Sequence, residues 1–435
     1  MQYAENLDGI RIAFSPDPLK PEESRFYCDE TMESRTGDKD DSPIQDIFEA
    51  CQIPSERNHF LLLGHTGSGK STELNKMSYT LQEEHDYMVS VIQCDGDLDL
   101  INPVASDLLI LMGDALLGIA NDIGCELNAA LQKKFVSYWS TEIVETGVKS
   151  SAIDFLAEAE VNVGTPSFFS NILKALARIK VDLKLNDTTR VEYRRKIKNR
   201  TSEWLEMLKE IADIIADKLQ GRQPILVFED LDKVTNLDVM YNIFSNEAAA
   251  LTGLPFPIVY TFPIALSYDP RFTSLKAHYQ PSILPMIKLA LPNGEEYPAG
   301  LEVIKKIVEK RAALKLFDEH VLENLIIKTG GSLRDLFMCI NDATKIARRK
   351  QETTISMTNA NIALTNLKSS LTRLIDSRHS DFLADICRGN RQNIKDQEML
   401  LQMLQAGVVL EYNSDRWHDV HPLVKDFLSD LGMLK

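Results

Sequence analysis

Residues 59 to 72 read His59-Phe-Leu-Leu-Leu-Gly64-His65-Thr66-Gly67-Ser68-Gly69-Lys70-Ser71-Thr72, and this stretch decides the fold. Its first half is a short apolar run, which is typical of a strand buried on both faces of a parallel sheet. Its second half fits the phosphate-binding pattern G-x-x-x-x-G-K-[ST] without a gap, and an amphipathic helical pattern follows it. The pattern works only between such a strand and such a helix, so its surroundings support a phosphate-binding loop.

The residue types of this loop suit a nucleoside triphosphate. Glycines let the backbone approach phosphate oxygens, and consecutive N–H groups at the start of a helix point towards the anion. The Lys70 ammonium adds a positive charge at the β- and γ-phosphates, and the Ser71 hydroxyl is a ligand for Mg²⁺. The sequence therefore predicts ATP and Mg²⁺ as cofactors, with binding by Gly64, His65, Thr66, Gly67, Ser68, Gly69, Lys70, Ser71 and Thr72.

A second motif supplies the acids that such a loop needs on a neighbouring strand. Four apolar residues lead into acidic ones in Ile225-Leu-Val-Phe-Glu229-Asp230-Leu-Asp232. The usual order is Asp followed by Glu, and here the order is inverted. Either Glu229 holds the metal while Asp230 orients the attacking water, or Asp230 binds the metal while Asp232 assists. Lys70, Ser71, Glu229 and Asp230 are thus the predicted centre of the hydrolytic site.

The remaining pattern predicts an α/β fold. Further strands are predicted at residues 87–95, 225–230, 257–262 and 283–289, and helical segments separate them, which indicates a parallel five-stranded sheet covered by helices. The interval between Lys70 and Asp230 is far longer than one strand and two or three helices require. Residues 104–218 are almost wholly helical in pattern, and we expect a large helical insertion there.

The chain divides by composition into four predicted regions. Residues 1–43 are rich in Asp, Glu, Pro and Ser and form an N-terminal arm without a core of its own. Residues 44–295 form the P-loop core with its insertion, and residues 296–360 form a helical lid. Residues 361–435 end in helices, two short strands about a polar turn and a last helix, which is a winged-helix-like order.

Together these motifs resemble those of AAA+ ATPases, in particular the replication-initiator and STAND-like branches. The resemblance includes Thr261 at the end of the fourth strand and Gly330-Gly-Ser-Leu-Arg334-Asp335 in the lid. It implies a sheet order of 5-1-4-3-2, a sensor role for Thr261, and a lid arginine, Arg334, that reads the γ-phosphate. Arg271 lies where such proteins carry the arginine that completes a neighbouring subunit's site, and a surface role for it stays open.

Charge limits the class of partner. The net charge is −16 and the pI near 5.1, so the whole-molecule field repels nucleic acid. The basic run of residues 190–200 is the candidate local patch, and a solvated helix face is its alternative reading. Six cysteines are scattered without a C-x-x-C pair, and no apolar stretch is long enough to span a bilayer. We therefore expect a cytoplasmic protein in a reducing compartment.

Three functional hypotheses follow. The first is an ATP-driven switch or assembly ATPase that acts on a protein effector or on itself through the insertion and C-terminal region. The resemblance places such ATPases in bacterial antiviral defence or signalling modules. The second is a DNA-binding initiator or loader that uses the winged-helix-like end, which the acidic charge disfavours. The third is a nucleotide-gated scaffold with little hydrolysis, which the inverted acids permit.

Overall fold

A five-stranded parallel sheet forms the centre of the computed structural model, which describes residues 1–53, 58–143, 152–165, 167–389, 396–412 and 417–434. The strand order is β2-β3-β4-β1-β5, which is the predicted order 5-1-4-3-2. A separate antiparallel hairpin pairs β6 with β7. The strands are β1 His59–Gly64, β2 Val89–Gln93, β3 Ile225–Glu229, β4 Ile258–Pro263, β5 Gln280–Ile283, β6 Val409–Tyr412 and β7 Trp417–Val420.

Helices make up most of the remaining described chain. The α-helices are α1 Ile10–Ala13, α2 Thr31–Thr36, α3 Pro43–Gln52, α4 Lys70–Glu83, α5 Cys94–Asp97, α6 Ala105–Asp122, α7 Ala129–Ile143, α8 Ala152–Val161, α9 Ser167–Leu185, α10 Asp187–Asn199, α11 Thr201–Lys218, α12 Leu237–Asn246, α13 Ala248–Leu251, α14 Phe272–Leu275, α15 Pro298–Glu309, α16 Val321–Lys328, α17 Leu333–Arg349, α18 Met357–Thr372, α19 Ser377–Cys387, α20 Gln397–Gln405 and α21 Pro422–Asp430. Short 3₁₀ helices span Pro21–Phe26, Leu231–Lys233, Ile264–Tyr268 and Leu314–Leu316.

Strand β1 is buried on both faces because successive side chains point to opposite sides of the sheet. Leu61 and Leu63 pack into the larger core that includes the helices between β2 and β3. Phe60 and Leu62 pack into a smaller core with α3 and α4 on the opposite face. This two-sided burial explains the unbroken apolar run of β1.

The fifth strand lies at residues 280–283, so the sequence-based placement at 283–289 is wrong. The register pairs Phe60–Leu63 of β1 with residues 280–283, and Pro285 beyond them has no N–H to donate to a ladder. Burial of residues 284–289 has another cause: Met286 packs against the C-terminal hairpin, and Ile287 packs in the core of the lid. An apolar pattern cannot distinguish burial in a sheet from burial beneath a lid.

The predicted helical insertion is present as α6 to α11, which lie between β2 and β3 in the chain. Its core contains a buried aromatic group in which Trp204 contacts Tyr138 and Trp139 at centroid distances of 5.2 and 5.3 Å. A Cβ on Gly113 of α6 would lie 2.3 Å from the Trp204 ring, so the absence of a side chain there allows the indole to pack against α6. This core is continuous with the sheet.

The N-terminal arm (residues 1–43) packs against the lid. Ile10, Ala13 and Phe14 are buried in the same apolar cluster as α15, α16 and α17. The C-terminal helices α19, α20 and α21 form another cluster with the β6–β7 hairpin. The structure confirms the predicted fold class, and the exact division into four regions stays a prediction. None of the six cysteines forms a disulfide, and none of the described helices is long and apolar enough to cross a membrane.

Gly331 is a position where we expect substitution to destabilise the lid. Its φ is +83°, and a Cβ there would lie 2.0 Å from the Ile287 carbonyl oxygen. Gly294 is a matched control, because its φ is +88° and nothing lies within 4 Å of its added Cβ. Gly294→Ala should lower the free energy of unfolding by about 1 kcal/mol through backbone conformation alone. Gly331→Ala should lower it by about 3 kcal/mol or more because overpacking adds to that cost.

Chemical denaturation of the two variants tests this expectation. Equal losses of unfolding free energy in Gly331→Ala and Gly294→Ala would show that the contact with Ile287 contributes nothing to stability.

Candidate nucleotide-binding site

The loop between β1 and α4 has the backbone shape of a phosphate-binding loop. Gly67 and Gly69 adopt φ values of +88° and +99°, which residues with side chains rarely do, and α4 begins directly at Lys70. The Lys70 ammonium folds back over the loop and donates to the carbonyl oxygens of Gly64 and His65 at 2.7 and 2.9 Å. The N–H groups of Lys70, Ser71 and Thr72 at the start of α4 precede the first bond of this helix, from the Glu73 N–H to the Gly69 carbonyl oxygen, and can point towards an anion.

A cavity of about 500 Å³ lies over this loop. One part is polar and contains the loop and the acids after β3. Another part is apolar and lies between the N-terminal arm and the lid. The residues that line the whole cavity include Pro18, Leu19, Phe26, Cys28, Arg35, Thr66, Gly67, Gly69, Lys70, Ser71, Thr72, Gln93, Asp95, Glu229, Asp230, Asp232, Lys233, Ile307, Arg311, Leu333, Arg334 and Phe337. The shape and polarity suit a nucleotide, with phosphates at the loop and a base in the apolar part.

Glu229 and Ser71 fit a magnesium ion. Burial raises the pKa of Glu229, and hydrogen bonds from Gln93 (2.8 Å) and Ser71 oppose that shift. The other carboxylate oxygen of Glu229, Oε1, is buried and has no hydrogen-bond partner among the described residues. A buried oxygen in that state is costly unless a cation or proton meets it. Glu229 and Ser71 would therefore hold Mg²⁺, whose chemistry is to neutralise phosphate charge.

The two remaining acids have different partners. Asp230 lies 2.7 Å from the Lys233 ammonium and adopts a left-handed φ of +70°, which turns the chain sharply after β3. Asp232 lies 2.8 Å from the Lys70 ammonium, and both side chains are largely buried. Asp232 thus occupies the partner position on Lys70 that a γ-phosphate would take. The contact of Glu229 with Ser71 favours Glu229 over Asp230 as the metal ligand.

Arg334 of the lid meets the P-loop. Ser332 caps α17 by accepting from the Asp335 N–H, which places Arg334 in the first turn of that helix. A Cβ on Gly67 would lie 2.8 Å from the Arg334 Cβ, so lid and loop are in direct contact. Arg334 lines the cavity, and its side chain has no hydrogen bond or ion pair within the described parts of the chain. It is placed to bind a phosphate oxygen.

Thr261 and Arg271 lie outside this cavity. The Thr261 hydroxyl is buried, accepts from the Leu231 N–H at 3.1 Å and donates to the Phe228 carbonyl oxygen at 3.2 Å. It holds the turn that carries Asp230 and Asp232. Arg271 is half-exposed and pairs with Asp269 and Asp238 at 2.6 and 2.8 Å. Its predicted role at a neighbouring subunit's site stays a prediction.

Sequence reasoning missed the site residues supplied by the N-terminal arm. Arg35 is buried and donates to the Ser68 carbonyl oxygen of the P-loop at 2.6 Å. Leu19 and Tyr27 bond to α4 through Thr72 and Glu73 at 3.2 and 2.5 Å. Arg311, also buried, bonds to the Ala13 carbonyl oxygen at 3.4 Å from the lid side. Composition alone could not place these residues because their contacts bridge distant parts of the sequence.

The C-terminal hairpin also reaches the P-loop. The His65 imidazole Nε2 accepts a hydrogen bond from the Glu411 N–H of β6 at 2.8 Å. The Tyr412 hydroxyl donates to the Gly330 carbonyl oxygen at 2.8 Å, four residues before Arg334. The hairpin therefore contacts both the phosphate loop and the lid.

Burial of His65 predicts a loss of stability in acid. Burial and the nearby Lys70 charge lower its pKa to about 3 from an ordinary value near 6.5. Below pH 6.5 the unfolded chain takes up a proton that the folded chain refuses, so the free energy of unfolding falls as pH falls. We expect His65 to contribute a loss of about 2 kcal/mol between pH 7 and pH 5.

Denaturation of wild type and His65→Gln at both pH values measures this contribution. The Gln carbonyl can accept the Glu411 N–H bond but does not titrate, so its pH dependence should be shallower. Parallel pH profiles for the two proteins would contradict the assignment.

The basic run of residues 190–200 is largely neutralised within the insertion. Arg190 pairs with Asp99 and Asp187, and Arg194 pairs with the buried Asp107 at 2.6 Å. Arg195 and Arg200 pair with glutamates on their own helical turns, and Lys196 is buried with its ammonium on the Trp139 carbonyl oxygen. Of its six basic residues, Lys198 alone is exposed and forms no ion pair within the described chain. The run therefore serves packing of the insertion.

No protein-family model and no curated protein matches the chain. Solved structures that resemble it include the Walker-type ATPase PABY2304 of Pyrococcus abyssi, with a TM-score of 0.47 at 12% identity, covering 96% of this chain and 99% of that one. The ORC2 protein of Aeropyrum pernix in its ADP form gives 0.40 at 12%, covering 98% and 99%. The Aeropyrum pernix ORC1 protein in complex with DNA gives 0.39 at 11%, covering 97% of each chain. The fold assignment follows from strand order and loop geometry instead.

Proposed function

We propose that this chain binds Mg²⁺-ATP and hydrolyses it slowly, and that the cycle switches its contact with a protein partner. One observation carries the proposal: the lid arginine Arg334 has no protein partner within the described chain and packs directly on Gly67 of the P-loop. An arginine in that position can bind the terminal phosphate and release it after hydrolysis. The position of the lid would then depend on the nucleotide bound.

Each residue around the cavity has a distinct part in this proposal. Arrival of the phosphates draws Lys70 away from Asp232, and α4 supplies N–H groups to the same oxygens. Glu229 and Ser71 would hold Mg²⁺, which would neutralise phosphate charge. Asp230 holds and orients the attacking water. Its ion pair with Lys233 holds that carboxylate in place, which suits this part.

A protein partner suits the charge of the molecule better than DNA does. The net charge is −16, and the one basic run is engaged in ion pairs within the insertion. We propose that the insertion and the C-terminal region present the partner surface, and that the setting is a cytoplasmic antiviral defence or signalling module. Self-assembly through Arg271 would first require release of its pairs with Asp269 and Asp238.

Four measurements on the purified full chain test the proposal. Isothermal titration with ATP should show Mg²⁺-dependent binding, and phosphate release should be slow and lost in Arg334→Ala. Tight ATP binding without phosphate release would favour the scaffold hypothesis over the switch. Absence of ATP binding would refute both hypotheses. Salt-dependent retention of duplex DNA would favour the initiator hypothesis. Native mass with and without a non-hydrolysable ATP analogue reports nucleotide-gated assembly.

A further inference from the structure

The arm residue Arg35 is a buried cation whose surroundings lack an obvious counterion. It lies near the end of α2, which terminates at Gly37 with a φ of +93°, and its side chain is only 1% exposed. Its hydrogen bonds go to two carbonyl oxygens, those of Ser68 at 2.6 Å and Pro285 at 2.5 Å. Its Nε has no partner among the described residues. Burying a guanidinium without a carboxylate is costly, so such a group calls for an explanation.

Burial lowers the pKa of Arg35, and the carboxylate that opposes this shift is that of Glu73. Glu73 is already bound by the Tyr27 hydroxyl at 2.5 Å and the Thr31 hydroxyl at 3.4 Å. No ion pair joins Arg35 to an acid within the described chain. We therefore expect the counterion of Arg35 to be an anion that binds in the cavity, which Arg35 lines.

The contact with Ser68 also has a geometric consequence for the loop. In a trans peptide the carbonyl and the following N–H point in opposite directions. Because the Ser68 carbonyl points at Arg35, the Gly69 N–H points away from it. A Cβ on Gly69 would lie 3.4 Å from Arg35 Nη2, so the guanidinium packs against the peptide between Ser68 and Gly69. The second bond, to Pro285 just after β5, anchors the guanidinium to the sheet.

We propose that Arg35 is a positioning residue of the phosphate site, which fixes the Ser68–Gly69 peptide plane and whose buried charge attracts the nucleotide phosphates. The proposal rests on the proposed nucleotide binding by the P-loop. It assigns to the N-terminal arm a direct part in phosphate recognition. A charge beside the loop favours ligands in proportion to their phosphate charge, whereas a purely structural residue does not.

Affinities of the full chain for ATP, ADP and AMP, measured by titration calorimetry at two salt concentrations, test the role of Arg35. Arg35→Gln should weaken ATP binding about tenfold or more, ADP binding less, and AMP binding least. Its affinity for ATP should also depend less on salt than that of wild type. Arg35→Lys keeps the charge without the two-pronged geometry, so it should recover part of the preference for ATP over AMP.

Lys134→Gln is the matched control for net charge. Lys134 lies on α7 of the insertion, is half-exposed and lies 3.8 Å from Glu206, and neither residue lines the cavity, so its loss should leave the three affinities unchanged. Equal weakening of ATP, ADP and AMP by Arg35→Gln, or no weakening, would overturn the proposal. If Arg35→Gln does not fold, Arg35→Lys carries the test, and affinities for ATP, ADP and AMP in that variant equal to those of wild type would overturn the proposal. Absence of binding by wild type would instead refute the proposed function.

Discussion

Replacing Lys70 by Ala should weaken Mg²⁺-ATP binding by about 10- to 100-fold, because hydrogen bonds to a charged group are worth about 1.5–3 kcal/mol. Lys70 is the loop's own cation, and its ammonium already lies over the Gly64 and His65 carbonyl oxygens in the cradle. The same change leaves Asp232 with no cation at 2.8 Å. Some loss of folding stability should therefore accompany the loss of affinity.

Asp232 provides the control that separates these two effects. Asp232→Asn removes the acid that competes with phosphate for Lys70, so we expect ATP binding to tighten by a few-fold rather than weaken. In the double variant Lys70→Ala, Asp232→Asn the stability should recover while the affinity stays low. Titration calorimetry and thermal melts of the four proteins measure both quantities. Weaker ATP binding by Asp232→Asn would show that Asp232 assists the nucleotide instead of competing with it.

Asp230→Asn should abolish most phosphate release while leaving ATP affinity nearly intact. Positioned acids and bases contribute about 10²- to 10⁴-fold to hydrolytic rates, and we expect a loss in that range. Glu229→Gln should instead weaken Mg²⁺-dependent binding, because Glu229 contacts Ser71 and carries a buried oxygen without a partner in the described chain. Since burial already raises the pKa of Glu229, the neutral amide should be accepted without loss of fold.

The two candidate metal ligands, Glu229 and Asp230, predict opposite results for the variants Glu229→Gln and Asp230→Asn. If the roles are shifted by one residue, Asp230→Asn loses Mg²⁺-dependent binding and Glu229→Gln does not. Calorimetric titration of ATP at several Mg²⁺ concentrations, together with single-turnover phosphate release, distinguishes them. Gln93→Ala is a useful companion, because it removes the 2.8 Å hydrogen bond to Glu229 without removing a charge. It should weaken Mg²⁺-dependent binding only slightly.

Local sequence was sufficient to find the P-loop and the sheet. The glycines, Lys70 and Ser71 lie within eight residues, and their spacing is imposed by the phosphate itself. The strand β1 was placed at its observed bounds because burial on both faces leaves an unbroken apolar run. The same rule failed for β5, because Gln280 and Pro281 at this sheet edge are exposed, Ser282 and Ile283 are half-buried, and the apolar segment that follows is buried by the lid.

Contacts between distant segments could not be predicted. Arg35 and Ser68 are 33 residues apart, and Arg35 and Pro285 are 250 apart, so no local pattern reports either bond. The charges at 190–200 allowed two interpretations from sequence, a nucleic-acid patch or a solvated helix face. A dense run of arginines suggests a nucleic-acid surface, yet Arg194 pairs with Asp107, 87 residues earlier in the chain. Pairing of charges across a fold is invisible to composition.

The bond between His65 and the Glu411 N–H spans 346 residues, and this separation affects how the protein is made. A ribosome releases the P-loop long before it releases β6, so the nascent loop exists for most of synthesis without the hairpin that covers His65. Long-range contacts of this kind form late and slow the last steps of folding. A nucleotide that binds the unfinished chain would enter a site without its contact to the C-terminal hairpin. The site is complete only after the P-loop and the hairpin have folded together.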